Sequence, residues 1–95
     1  MAAGDVFAGL SSVNSGATLD IQPGSGVEVV ITTIFHEDSV DLQWYDGTNT
    51  LTFAAALTGP NSEAGLGFAC TNARRIRVKN NAGTAKLIGY SGFEV

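Results

Sequence analysis

The chain has 95 residues, enough for one small domain, and 44% of them are hydrophobic, so disorder is not the default reading. Only 15% are charged, and the net charge of −4 disfavours nucleic acid and anionic membrane as partners, since both reward basic surfaces. A single cysteine, Cys70, excludes an intrachain disulfide.

The opening MAAGDVFAGL has neither the basic stretch nor the long apolar stretch of a signal peptide, so synthesis and folding in a cytoplasm are expected. No apolar run approaches the ~18 residues of a membrane span. With so little charge, the surface is left to Gly, Ala, Ser, Thr and Asn. It is either partly covered by neighbouring chains or a mildly polar β surface.

In chain order, Asp5 to Leu10 reads as a short first strand or as part of an extended N-terminal arm over 1–10, with Ser11 to Gly16 as connector. Thr18 to Gln22 alternates, with Leu19 and Ile21 on one face, and Pro23-Gly24-Ser25-Gly26 turns the chain. Val27 to His36 is the most β-prone run. Val27, Val29, Ile31, Thr33 and Phe35 line one face; Glu28, Val30, Thr32, Ile34 and His36 line the other, which is itself half apolar. Such a strand is central, or its outer face meets another subunit.

The strongest signal is the hairpin VDLQWYDGTNTLTF, Val40 to Phe53. A type I′ turn at Asp46-Gly47 would set Trp44 opposite Asn49, Leu42 opposite Leu51 and Val40 opposite Phe53. A loop from Asp46 to Asn49 would set Trp44 opposite Leu51 and Leu42 opposite Phe53. Both registers place Val40, Leu42, Trp44, Leu51 and Phe53 on one face, which needs a second layer above it. Ala54 to Glu63 reads as a long loop or a crossover between sheets. Gly65 to Thr71 follows as a strand with Leu66, Phe68 and Cys70 on one face and Gly67 and Ala69 on the other. Arg74 to Asn80 points Ile76 and Val78 inward and Arg75, Arg77 and Lys79 outward. Ala85 to Tyr90 is the next strand, with Leu87 on one face and Ile88 and Tyr90 on the other, and Gly89 and Gly92 permit a bend before Phe93-Glu94-Val95.

These segments predict an all-β domain spanning 1–95: a small antiparallel β-sandwich or jelly-roll-like barrel of about eight short strands. The expected core is Leu19, Ile21, Val29, Ile31, Leu42, Trp44, Leu51, Phe53, Phe68, Ile76 and Val78.

Little in the sequence points to chemistry. His36-Glu37-Asp38, with Asp41 nearby, groups cation donors at a turn but lacks calcium-loop spacing, so a solvated acidic turn is expected and no metal. Cys70 has no activating neighbour and reads as buried and structural. No nucleophile, base and oxyanion donors can be assembled, so an enzyme is not expected and neither is a cofactor. Arg75, Arg77 and Lys79 make a basic stripe, either a solvated face or a grip on an acidic partner. Tyr45 and Tyr90 are the aromatics left over for stacking on a sugar.

Three stretches, GATLDIQPGSGVEVVIT (16–32), VDLQWYDGTNTLTF (40–53) and NARRIRVKNNAGTAKLIGYSG (72–92), resemble small virion proteins of tailed bacteriophages. The likeness is to capsid decoration, or cement, proteins and to related β domains of head fibres and tails. It lies in strand order, a YDGT-type hairpin, a strand ending in RVKN and a terminal LIGY. The resemblance implies a compact β-sandwich that forms a homotrimer on the capsid exterior. There it would bind the major capsid protein and reinforce the expanded shell, with no catalytic residues. Val6 and Phe7 of the N-terminal arm, Leu57 of the 54–63 segment, and Arg75, Arg77 and Lys79 are the expected contact residues. The alternative is a receptor- or carbohydrate-binding head of a fibre or tail, with a glycan as partner.

Overall fold

The computed structural model describes residues 4–95. They form nine strands and no helix: β1 (Val6–Val13), β2 (Thr18–Ile21), β3 (Val29–His36), β4 (Val40–Tyr45), β5 (Thr50–Leu57), β6 (Asn61–Glu63), β7 (Phe68–Cys70), β8 (Arg75–Asn80) and β9 (Lys86–Glu94). Two antiparallel sheets result. One runs β1-β9-β3-β6, with β7 also paired to β3; the other runs β2-β8-β4-β5. Val13, Val29, Ile31, Ile34, Cys70 and Ile88 from the first meet Ile21, Val40, Leu42, Ile76 and Val78 from the second in one buried core. The fold is thus the predicted β-sandwich. The extra strand, β6, lies in the stretch read as a loop. Its polar sequence NSE has no hydrophobic alternation, and only backbone pairing to the end of β3 makes it a strand.

β8 forms as its alternation predicts, with Ile76 and Val78 fully buried between outward Arg75, Arg77 and Lys79. β3 does not keep a single alternation. Ile31 pairs with Gly92 and Thr33 with Ser91, so Thr32 is an extra residue in a β-bulge. Before the bulge Val29 and Ile31 face the core; after it Ile34 and His36 do, and Phe35 turns outward. Both faces of the sequence are apolar because the inward face changes sides partway along. Gly92 lies opposite the bulge, where any Cβ would collide with the Val30 carbonyl oxygen.

The hairpin closes through the longer loop. Asp46 N–H donates to the Asn49 carbonyl, and Trp44 pairs with Leu51, not Asn49. Only Gly47 of the Asp46-Gly47 pair has positive φ, so the type I′ turn does not form. Instead the Asp46 carboxylate accepts the Thr48 and Asn49 N–H groups and caps the loop, which holds its pKa below the usual carboxylate range. Phe53 then sits in a second bulge, and Ala54 takes the position opposite Leu42 that the four-residue register gave to Phe53.

Two expected core residues are corrected here. Leu51 and Phe53 lie on the predicted face but are 64% and 38% exposed. β5 is the outer edge of its sheet, and the Phe68 ring of the opposite sheet lies 5.1 Å from the Phe53 ring between centroids. Trp44 and Leu19 are half-buried against the core, and Trp44 stacks obliquely on Phe68 at 6.1 Å. Farther along β5, two residues oppose Asp41, and Ala56 takes φ of 53°. The Asp41 carboxylate accepts the freed Ala56 N–H at 2.7 Å and the Asn81 side-chain amide at 2.7 Å.

Asn80 ties the end of the sandwich together. It is fully buried. Its side-chain amide donates to the Val13 and Thr84 carbonyls, its side-chain oxygen accepts from Ala82 N–H, and its backbone bonds Gly16 and Ala17. Of the two readings of the N-terminal segment, the short first strand is the one that forms, and it runs on into the expected connector. Val6 to Leu10 is the first part of β1, zipped to β9 in unbroken register through Val13, while positions 1–3 lie outside the described residues.

Replacing Asn80→Ala takes the partner from the buried Val13 carbonyl and from the part-buried Thr84 carbonyl and Ala82 N–H, which predicts a loss of roughly 2–3 kcal/mol in urea unfolding. Asp41 gives a pH test. The Ala56 N–H bond holds its carboxyl below the usual range against the opposing effect of desolvation, helped by Asn81 and Lys79. A lowered folded pKa stabilises above the unfolded value of about 3.9, and the benefit disappears as pH falls through the folded value. Asp41→Asn should therefore lower Tm at neutral pH, with the gap closing in scans taken well below about pH 3.9.

Candidate functional site

Residues opposite one another in an antiparallel pair share a face, so the register of β1, β9 and β3 defines both sides of the five-stranded sheet. The inner side carries the rows Phe7–Gly92–Ile31, Gly9–Tyr90–Ile34 and Ser11–Ile88–His36. The outer side carries Val6–Phe93–Val30, Ala8–Ser91–Thr33, Leu10–Gly89–Phe35 and the pair Ser12–Leu87. No residue in these outer rows is charged. Val6 is 75% exposed, Leu10 64%, Leu87 45%, and Phe35 and Phe93 42% each. These five side chains alone present on the order of 500 Å² of apolar surface, toward the upper end of the largest patch on a typical monomer.

The outer face has relief. Small residues, Ala8, Gly89 and Ser91, separate the larger ones. An open hollow of about 660 Å³ is bordered by Leu10 and Phe35 and lined also by Ala8, Gly9, Tyr90 and Ser91. Gly89, in the row between Leu10 and Phe35, has no room for a side chain: a Cβ there would lie 2.7 Å from the Gly9 carbonyl oxygen and 2.9 Å from the Leu10 side chain.

The residues expected to make contacts divide into three groups. Val6 stands on the outer face. Phe7 and Leu57 pack against the core, Phe7 with its ring 5.3 Å from Tyr90. The basic stripe is tied down within the chain. Arg75 donates twice to Asp20, at 3.1 and 3.0 Å, and once to the Asn72 carbonyl. Arg77 Nε makes an ionic contact with the other Asp20 oxygen at 3.1 Å, without an aligned hydrogen bond. Both guanidiniums lie over the Tyr45 ring, 4.7 and 4.1 Å from its centre. Lys79 is half-buried beside Asp41. Neither tyrosine is a free stacking platform, since Tyr45 lies beneath arginine and Tyr90 lies against Phe7 on the inner side.

The acidic turn disperses its side chains. His36 is buried, with Nδ1 2.9 Å from the Asp38 carbonyl oxygen and Nε2 3.0 Å from Glu63, which clips β6 to β3. A carbonyl only accepts, so Nδ1 carries a hydrogen. Glu37 accepts the Leu87 N–H, Asp38 accepts the Ser39 N–H, and Asp41 is engaged at Ala56. Among the described residues no three His, Cys, Asp or Glu side chains converge to hold a metal ion. Cys70 is buried, and desolvation pushes its thiol pKa up, away from a reactive thiolate.

The outer sheet face is the site sequence reasoning missed. Its signal was present as Val30, Phe35, Leu87 and Phe93, but the partnering of β1 and β3 with β9 is needed to gather them. No protein-family model matches the chain, and no curated protein matches it either.

Asp20→Asn weakens both arginine contacts. A stability loss of about 1 kcal/mol is expected in denaturant melts, shrinking in roughly 1 M salt because the cluster is only partly buried.

Proposed function

We propose that this chain is a non-enzymatic structural protein of a tailed-phage particle. In this reading it decorates the capsid exterior, binds the major capsid protein and stabilises the shell. The observation that carries it is the bare apolar surface on so small a chain, lying in two separate places: the outer rows of the five-stranded sheet, and Leu51 with Phe53 along β5. A protein that cements others together needs more than one docking region, and burying each would recover the free energy that its exposure withholds. The non-catalytic reading is supported by the buried Cys70 thiol and by a His36 ring engaged on both nitrogens. Shell expansion would create the complementary surface, so binding would favour the mature shell by mass action. The β5 edge is the side assigned to the shell.

The test is co-sedimentation with expanded and unexpanded shells of the accompanying major capsid protein. Saturable binding to the expanded form is expected, weakened at least tenfold by Leu51→Asp, a loss of about 1.4 kcal/mol or more. Failure to sediment with either shell overturns the proposal.

A further inference from the structure

We infer that the free edge of β1 is a strand-addition site, which takes an extended, basic segment of a different polypeptide as a further strand of the five-stranded sheet. This edge is separate from the β5 edge assigned to the shell, and its occupant is tested without one.

The backbone of β1 shows which groups are free. Hydrogen bonding along an antiparallel pair alternates, so each residue turns its N–H and C=O to one neighbour or to the other. Glu94 N–H donates to the Asp5 carbonyl, and Glu37 N–H donates to the Leu87 carbonyl. With the registers of β9, these two bonds fix the alternation: its even-numbered residues bond β1 and its odd-numbered residues bond β3. Phe7, Gly9, Ser11 and Val13 are therefore bonded to β9. Val6, Ala8, Leu10 and Ser12 aim their N–H and C=O groups out of the sheet. All four residues are exposed, and among the described residues β1 pairs with β9 alone. A row of alternating donors and acceptors that repeats about every 6.8 Å matches another extended backbone.

The other sheet edges are guarded. Short strands, bulges and charge are the usual means of blocking an unwanted strand. β6 and β7 have three residues each, and β2 has four, with Asp20 among them. β5 has eight, but two register shifts interrupt it and Ala56 takes positive φ. β1 also has eight residues, VFAGLSSV, in unbroken register with β9 and with neither charge nor proline.

The surroundings define the occupant. Outer side chains of an added strand would lie beside Val6, Ala8, Leu10 and Ser12. Ala8 is small and lines the hollow bordered by Leu10 and Phe35, so an apolar side chain opposite Ala8 can lean into it. Acidic residues predominate around the edge. Asp5 precedes it, Glu94 is bonded across its start, and the Glu37 carboxylate accepts the Leu87 N–H one strand in from Ser12. Lys86, opposite Val13, is the cation of this group. With a net charge of −4, the chain favours a segment with basic ends and disfavours a second copy of itself.

The probe is a blocked peptide of about nine residues, alternating threonine with valine or leucine and carrying lysine at both ends. Titrated into the isotope-labelled full chain, it is expected to bind saturably below about 1 mM and to slow hydrogen exchange at the Ala8, Leu10 and Ser12 amides. N-methylating alternate peptide amides gives two isomers. The one methylated on the side facing β1 should lose at least tenfold in affinity, and the other should bind as the parent does. Docking through side chains alone would not separate them. Ala8→Pro removes one outward N–H and leaves the β9 ladder intact, so it should keep its β circular dichroism and bind at least tenfold more weakly. Leu51→Asp, on the β5 edge, should bind the peptide as the wild type does. Absence of saturable binding overturns the inference, as do equal affinities of the two isomers or protection that falls elsewhere than Ala8, Leu10 and Ser12. Concentration-dependent protection of those amides without peptide also overturns it, because a second copy then holds the edge. A chain that takes the peptide and ignores shells sinks the virion reading alone; one that binds shells and ignores the peptide sinks only the strand addition.

Discussion

The extra residue in β3 governs both sides of this molecule. A strand with strict two-residue alternation would carry Phe35 inward beside Ile31 and leave Ile34 and His36 outside. The bulge at Thr32 reverses that order halfway along. It places Ile34 in the core, sets His36 where Glu63 can reach it, and releases Phe35 to wall the outer hollow. Core and candidate surface are therefore two results of one local irregularity, and Gly92 permits it by leaving room for the Val30 carbonyl.

The parts of the fold legible in the sequence are those fixed by short-range alternation. β8, β2 and the inward residues of β4 follow the period of two, and Pro23 to Gly26 marks its turn as turn chemistry dictates. What could not be read depends on partners far along the chain. Alternation assigns Leu51 and Phe53 to a face, but whether the opposite sheet extends far enough to cover them is a tertiary fact. The basic stripe looked free because Asp20, 55 residues before Arg75, is brought alongside only by the pairing of β2 with β8. In the sequence Asn80 is only the end of a strand, and it is the meeting of Val13, Ala17 and Thr84 around it that reveals a buried polar hub. The candidate site was legible residue by residue and illegible as a surface, since its rows are drawn from three strands that are distant in sequence.

The distribution of polarity divides the labour. Charge is concentrated on the four-stranded sheet and at the turns, where Asp20, Asp41 and Asp46 each satisfy specific donors. The outer side of the five-stranded sheet carries neither charge nor bulk at its centre. Buried hydrogen-bonded groups such as Asn80 favour one arrangement over near alternatives, because leaving any one of them unpaired is expensive. The bare face adds nothing to the stability of a single copy, since its side chains remain in water. A feature of that kind fits a task outside the chain better than a task inside it.

The position of β9 has a consequence for biosynthesis. It is the strand translated last of the nine, yet it lies between β1 and β3 and is hydrogen-bonded to both. Until the ribosome delivers it, β1 has no neighbour in its sheet and one long edge of β3 stays unpaired. The nascent domain cannot settle strand by strand; closure must wait for the final segment and then span nearly the full contour of the chain, the long-range kind of pairing that makes β proteins slow to fold.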